Sequence, residues 1–208
     1  MQKDLHVLSL LSTHDWRYTS NMAYKLDHIT VLIVDDMRPM LALTKSVLNS
    51  FGFTNVVLAE NGEEGFQRFC EVKPDFVLTD WLMAPVDGLE MTRMIRKDPR
   101  SPNPFVPIIM MTGFSSRLRV MNARDHGITE FLVKPFTAKD LYARIFQIIE
   151  KPRNFVETEQ FFGPDRRRKR IQDYIGPRRR DGDPLASHAT STTADAILKK
   201  LSEEAQKL

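Results

Sequence analysis

Four short apolar runs lie along the middle of this 208-residue chain, and each runs straight into residues with chemistry to offer. Thr30-Val31-Leu32-Ile33-Val34 leads into Asp35-Asp36, and Phe76-Val77-Leu78-Thr79 leads into Asp80. Val106-Pro107-Ile108-Ile109-Met110-Met111 leads into Thr112, and Glu130-Phe131-Leu132-Val133 leads into Lys134. Continuous Val/Ile/Leu/Phe stretches of this length read as strands buried on both faces, the pattern of a parallel sheet. In an open parallel α/β sheet, ligands bind just beyond the carboxyl ends of the strands. Residues far apart in sequence should therefore converge on one rim.

Between these runs the apolar spacing turns helical. Met40, Leu41, Leu43, Thr44, Val47 and Leu48 predict a first helix closed by Gly52. Asn55 to Ala59 reads as a further strand, and Asn61-Gly62 opens a second helix with Phe66 and Phe69 inward. Leu89, Met91, Met94 and Ile95 mark a third helix, and residues 116–126 a fourth, ended by Gly127. A fifth runs over 137–150 with Leu141, Ile145, Ile148 and Ile149 inward, and Thr137 with Asp140 starts it as a capping box. Five βα units predict an α/β domain over 28–151: a flavodoxin-like five-stranded parallel sheet in the order 2-1-3-4-5, with helices on both faces.

The flanks read differently. Residues 1–27 are expected to form an N-terminal arm. Residues 152–192 hold few aliphatic side chains and many Arg, Gly, Pro, Ser and Thr. That composition predicts an Arg-rich, disordered or loosely docked linker. Ala194, Ile197, Leu198, Leu201, Ala205 and Leu208 place an amphipathic helix over 193–208. Residues 1–150 carry 17 Lys+Arg and 18 Asp+Glu, against 13 and 9 in residues 151–208, so the basic excess lies in the tail. No apolar run approaches the length of a membrane span, and the short Val7–Leu11 patch predicts no secretory leader. The single cysteine, Cys70, fits a reducing cytoplasm and the apolar face of the second helix.

Adjacent acids such as Asp35 and Asp36 repel each other unless a cation or base sits between them. For that pair alone, a solvated turn explains them equally well. Asp80 changes the balance, because three carboxylates on one rim offer hard oxygens to Mg²⁺. Mg²⁺ would also neutralise charge as a phosphoryl group passes to a carboxylate. The Thr112 hydroxyl can hydrogen-bond a phosphoryl oxygen, and the Lys134 ammonium can bridge acids and phosphate as a point charge. A threonine or a Lys-Pro alone carries no signal; the ordered set at four strand ends does.

The signatures VLIVDD, FVLTDWLMAPVDGLEM, PIIMMTG and EFLVKPF make residues 28–150 resemble the receiver domain of bacterial two-component response regulators, of the chemotaxis-regulator type. The resemblance implies phosphorylation on Asp80, with Mg²⁺ held by Asp35, Asp36, Asp80 and the Leu82 backbone carbonyl. It makes Thr112 the switch hydroxyl, Lys134 the phosphate-binding lysine and Phe131 the rotating aromatic. A histidine kinase or phosphotransfer protein would supply the phosphoryl group. A downstream protein would read the face formed by the fourth helix, fifth strand and fifth helix, together with the tail. The resemblance implies a phosphoacceptor rather than an enzyme, with at most weak self-dephosphorylation. Leu82 and Phe114 fall where the family's hydrolytic water passes, so two apolar side chains there imply a long-lived phosphoryl group. One departure is visible: the family's proline four residues after the phosphoacceptor is Ala84 here, and Pro85 follows.

The tail allows a second class of function. Arg166, Arg167, Arg168, Lys169, Arg170, Arg178, Arg179 and Arg180 could neutralise nucleic-acid phosphates, making the chain a nucleic-acid-binding regulator under receiver control. They could equally contact an acidic partner. The terminal helix needs a surface for its apolar face, on this domain, a second copy in a homodimer, or a partner. An aspartyl-phosphate hydrolase is disfavoured, because Leu82 stands where that class carries its second acid.

Overall fold

A computed structural model describes residues 26–113, 126–157 and 161–165, and the backbone of 187–189. Five parallel strands form the main sheet: β1 (Thr30–Val34), β2 (Asn55–Ala59), β3 (Phe76–Asp80), β4 (Ile108–Thr112) and β5 (Glu130–Val133). They lie in the order β2-β1-β3-β4-β5, as the alternation of runs predicted. The described helices are α1 (Arg38–Ser50), α2 (Gly62–Val72), α3 (Gly88–Lys97) and α4 (Ala138–Glu150). The helix expected over 116–126 falls on 114–125, outside the described residues, apart from His126 in a turn. Of the expected N-terminal arm, 1–25 likewise lie outside. Leu26 packs against the core, and the Asp27 carbonyl accepts the Asn55 side chain at 2.7 Å, so the fold starts at least this early.

The strands have a period of two, and this divides the core into two layers. Val31, Ile33, Phe76, Leu78, Ile109 and Met111 face α1 and α4, where Leu41, Leu48, Leu141 and Ile145 meet them. Leu32, Val34, Val77, Ile108 and Met110 face α2 and α3, meeting Phe66, Phe69, Met91 and Ile95. Caps fix where the helices begin. Asn61 accepts the Glu64 N–H at 3.0 Å, Asp87 accepts that of Glu90 at 2.7 Å, and Thr137 with Asp140 forms the predicted capping box.

The described residues after α4 correct the expectation of disorder for the stretches they cover. Within 152–192, β6 (Phe155–Glu157), β7 (Phe162–Pro164) and β8 (Ser187–Ala189) form an antiparallel sheet in the order β7-β6-β8. Composition argued against structure here, but aromatic side chains supply what aliphatics do not. Phe105, Phe155 and Phe162 meet pairwise with ring centroids 5.2–5.7 Å apart. Of the three, Phe155 covers Arg96, whose guanidinium lies 5.1 Å from its ring centroid. Arg96 is 5% exposed and donates to the carbonyls of Gly127 and Pro104. Burial pulls its pKa down to about 9, which leaves it charged at neutral pH. Phe155 is 2% exposed, so Phe155→Ala should lower the unfolding free energy by about 3 kcal/mol in urea denaturation, whereas an unpacked tail would give about 0.5 or less.

Candidate functional site

Strand periodicity aims the site. Asp35, Asp80 and Lys134 continue the parity of Ile33, Leu78 and Leu132, the residues facing α1 and α4. All three therefore emerge on the same side at the carboxyl rim. Asp35 is fully buried. Its Oδ1 accepts the Met37 N–H at 2.9 Å, and its Oδ2 lies 2.8 Å from Lys134 Nζ. The first bond turns the chain out of β1 just past Val34, where the apolar run ends. It also satisfies an amide at the α1 N-terminus, where Met37 supplies no side-chain cap.

Lys134 Nζ also lies 2.8 Å from Asp80 Oδ1. Carboxylate oxygens of Asp35, Asp36 and Asp80 all lie within 4.8 Å of one another, with Asp36 exposed to solvent. Three carboxylates against one ammonium leave two negative charges to be neutralised. Oxygen donors at this spacing, with an exposed member, suit a hard divalent cation that keeps several waters. Thr112 ends β4, buried, and its carbonyl accepts the Lys134 N–H at 2.7 Å, so hydroxyl and ammonium belong to adjacent residues of the ladder.

The loop after β3 is tucked under Asp80. Gly88 donates its N–H to the Trp81 carbonyl at 2.9 Å, and a Cβ on Gly88 would overlap the Asp80 carbonyl oxygen. Only glycine fits this close approach. The displaced proline at 85 leaves Asp87-Gly88 serving as cap and contact. Leu82, in this loop, is 56% exposed. Phe131 is half-buried and packs with the layer facing α2 and α3. Phe114 and the basic residues from Arg166 to Arg180 lie outside the described residues. Sequence reasoning missed Arg96 and the Glu130–Arg153 ion pair at the other end of β5.

These features define a phosphoacceptor receiver fold. Residues 31–146 match the model of the response regulator receiver domain, and the chain belongs to that family. It is 34% identical over 121 residues to the chemotaxis protein CheY of Pseudomonas aeruginosa, covering 58% of this chain and 96% of that protein. It is 32% identical over 124 residues to CheY-3 of Vibrio cholerae, covering 60% and 94%. Among solved structures, a response regulator receiver domain protein from Clostridium thermocellum is 30% identical with a TM-score of 0.53, covering 59% and 95%. A putative response regulator from Chloroflexus aurantiacus is 28% identical with a TM-score of 0.54, covering 59% and 98%. The family acts in two-component systems, and phosphorylation and Mg²⁺ binding are characteristic of it. Among the described residues, no helix is long and apolar enough to cross a membrane.

Burial raises the Asp80 pKa and the Asp35 charge adds to that, while hydrogen bonding and attraction from Lys134 partly offset it. For Lys134, burial works against the charge, but its two carboxylates win and raise the pKa. An acid with a raised folded pKa binds protons more tightly in the fold than in the unfolded chain. Its ionisation therefore costs stability once pH rises past the ordinary 3.8. Lys134 acts oppositely, stabilising the fold below 10.5 and losing that contribution as pH rises through its raised value. Without metal, Asp80→Asn should be more stable than the unmodified chain at pH 7. That advantage should vanish below pH 3.8, in denaturation at the two pH values.

Proposed function

We propose that the chain accepts a phosphoryl group on Asp80 from a histidine kinase or phosphotransfer protein and passes the signal on by protein–protein contact. The observation that carries this reading is the position of Lys134, 2.8 Å from carboxylate oxygens of both Asp35 and Asp80, beside three clustered acids. A carboxylate oxygen of Asp80 attacks phosphorus. The new O–P bond forms as the donor's N–P or O–P bond breaks, and the donor keeps the electron pair. Asp35, Asp36, Asp80 and the Leu82 carbonyl would hold Mg²⁺, which supplies charge neutralisation for the transferring group. Lys134 shifts from a carboxylate to a phosphoryl oxygen, and the Thr112 hydroxyl donates to another. Phe131, already in the core layer beneath, follows Thr112. The chain is an acceptor in this scheme rather than an enzyme, acting in the cytoplasm.

Leu82 offers no group to orient a hydrolytic water, and Phe114, two residues past Thr112 in the sequence, is apolar as well. Both favour a long-lived phosphoryl state. Intact mass after incubation with Mg²⁺ and acetyl phosphate tests the reading. One added phosphoryl group is expected on the unmodified chain and none on Asp80→Ala; equal gain in both would refute it.

A further inference from the structure

Among the described strands, β5 is an edge strand paired with β4 alone, and it is four residues long. Charge holds it at both ends. At the carboxyl end Lys134 engages Asp35 and Asp80. About 13 Å away, at the base, Glu130 is buried and pairs with Arg153 and, at 3.7 Å, with Arg144 of α4. The Gly127 turn just ahead of β5 is gripped from two sides. Arg96 donates to the Gly127 carbonyl at 2.9 and 3.1 Å. From the other side β7 lies against it, so that a Cβ on Gly163 would stand 2.8 Å from Gly127 Cα. Gly127 has φ +89°, and a Cβ there would stand 3.1 Å from the Phe162 carbonyl, so the turn and β7 meet backbone to backbone. The family match ends at residue 146, so Arg153 and the β6–β7 hairpin lie beyond what the family model describes.

We propose that residues 153–157 and 161–164 form a strap on the base of β5, and that its seating is coupled through this one strand to the state of the acidic rim. A short strand held by a single ladder moves as a unit more readily than a central one. Any change in what Lys134 holds is then carried to Glu130. Glu130 cannot shift without disturbing its partly buried ion pair with Arg153, and removing the arginine leaves the buried Glu130 carboxylate less compensated. Linkage makes the effect reciprocal: loosening the strap must loosen the rim by the same factor. Its regulatory meaning rests on the phosphoacceptor reading; the coupling itself does not.

Amide-resolved hydrogen exchange on the full chain tests this from both ends. In Lys134→Met, the Asp165 N–H, which closes the hairpin onto the Asn154 carbonyl, should exchange at least about fivefold faster than in the unmodified chain. An unchanged rate would overturn the coupling. In Arg153→Gln the rim keeps all its side chains, so the reverse test survives even if the first variant fails to fold. Here the Lys134 N–H, donated to the Thr112 carbonyl, should quicken by a similar factor. A rate equal to that of the unmodified chain would overturn the proposal. Neither readout uses a phosphodonor, so absence of phosphoryl gain in the mass assay would remove the phosphoacceptor reading and leave this test intact.

Discussion

The Lys134 ammonium, set between Asp35 and Asp80, is the interaction on which the rim depends. Without it, a fully buried carboxylate and a largely buried one would face each other uncompensated. With it, the rim still carries two more negative charges than positive, so the apoprotein is held together but not neutral. That residual imbalance explains why burial and Asp35 raise the Asp80 pKa despite the lysine. It also explains why a divalent cation and a phosphoryl group suit the site. Each completes a charge balance that the protein alone leaves open.

Much of this was legible in the sequence because strands buried on both faces cannot hide among polar residues. The run Glu130–Val133 coincides with β5, and the run from Phe76 into Asp80 coincides with β3. The run beginning at Val106 was read two residues early. Pro107 lacks an N–H, yet its carbonyl still accepts the Val77 N–H at 2.9 Å, so the ladder reaches back to it. Leu43 fitted the helical spacing but points to solvent at 56% exposure, because spacing alone does not locate the edge of an apolar stripe. The acids, the threonine and the lysine were identifiable because each stands at or just past the carboxyl end of a strand.

The strap was not legible, for a physical reason. Arg96 reads as a solvated cation in the last turn of a helix, a favourable place for one. Its burial comes from the Phe155 ring of β6 together with the Gly127 and Pro104 carbonyls to which it donates. Phe155 and Phe162 sit among charged and turn-forming residues, where averaged composition conceals them. Each half of this contact is unremarkable by itself, and only the tertiary structure joins them. The fold therefore extends past the boundary expected at residue 151, and the edge strand has the acidic rim at one end and the chain's own tail at the other.

The central claim is that Asp80, and neither of its acidic neighbours, takes the phosphoryl group. Borohydride reduces an acyl phosphate to the alcohol, marking the residue that carried it. After treatment with Mg²⁺ and acetyl phosphate, peptide mapping of the reduced chain should find the mark at position 80. A mark at Asp35, at Asp36 or at any other residue would contradict the account.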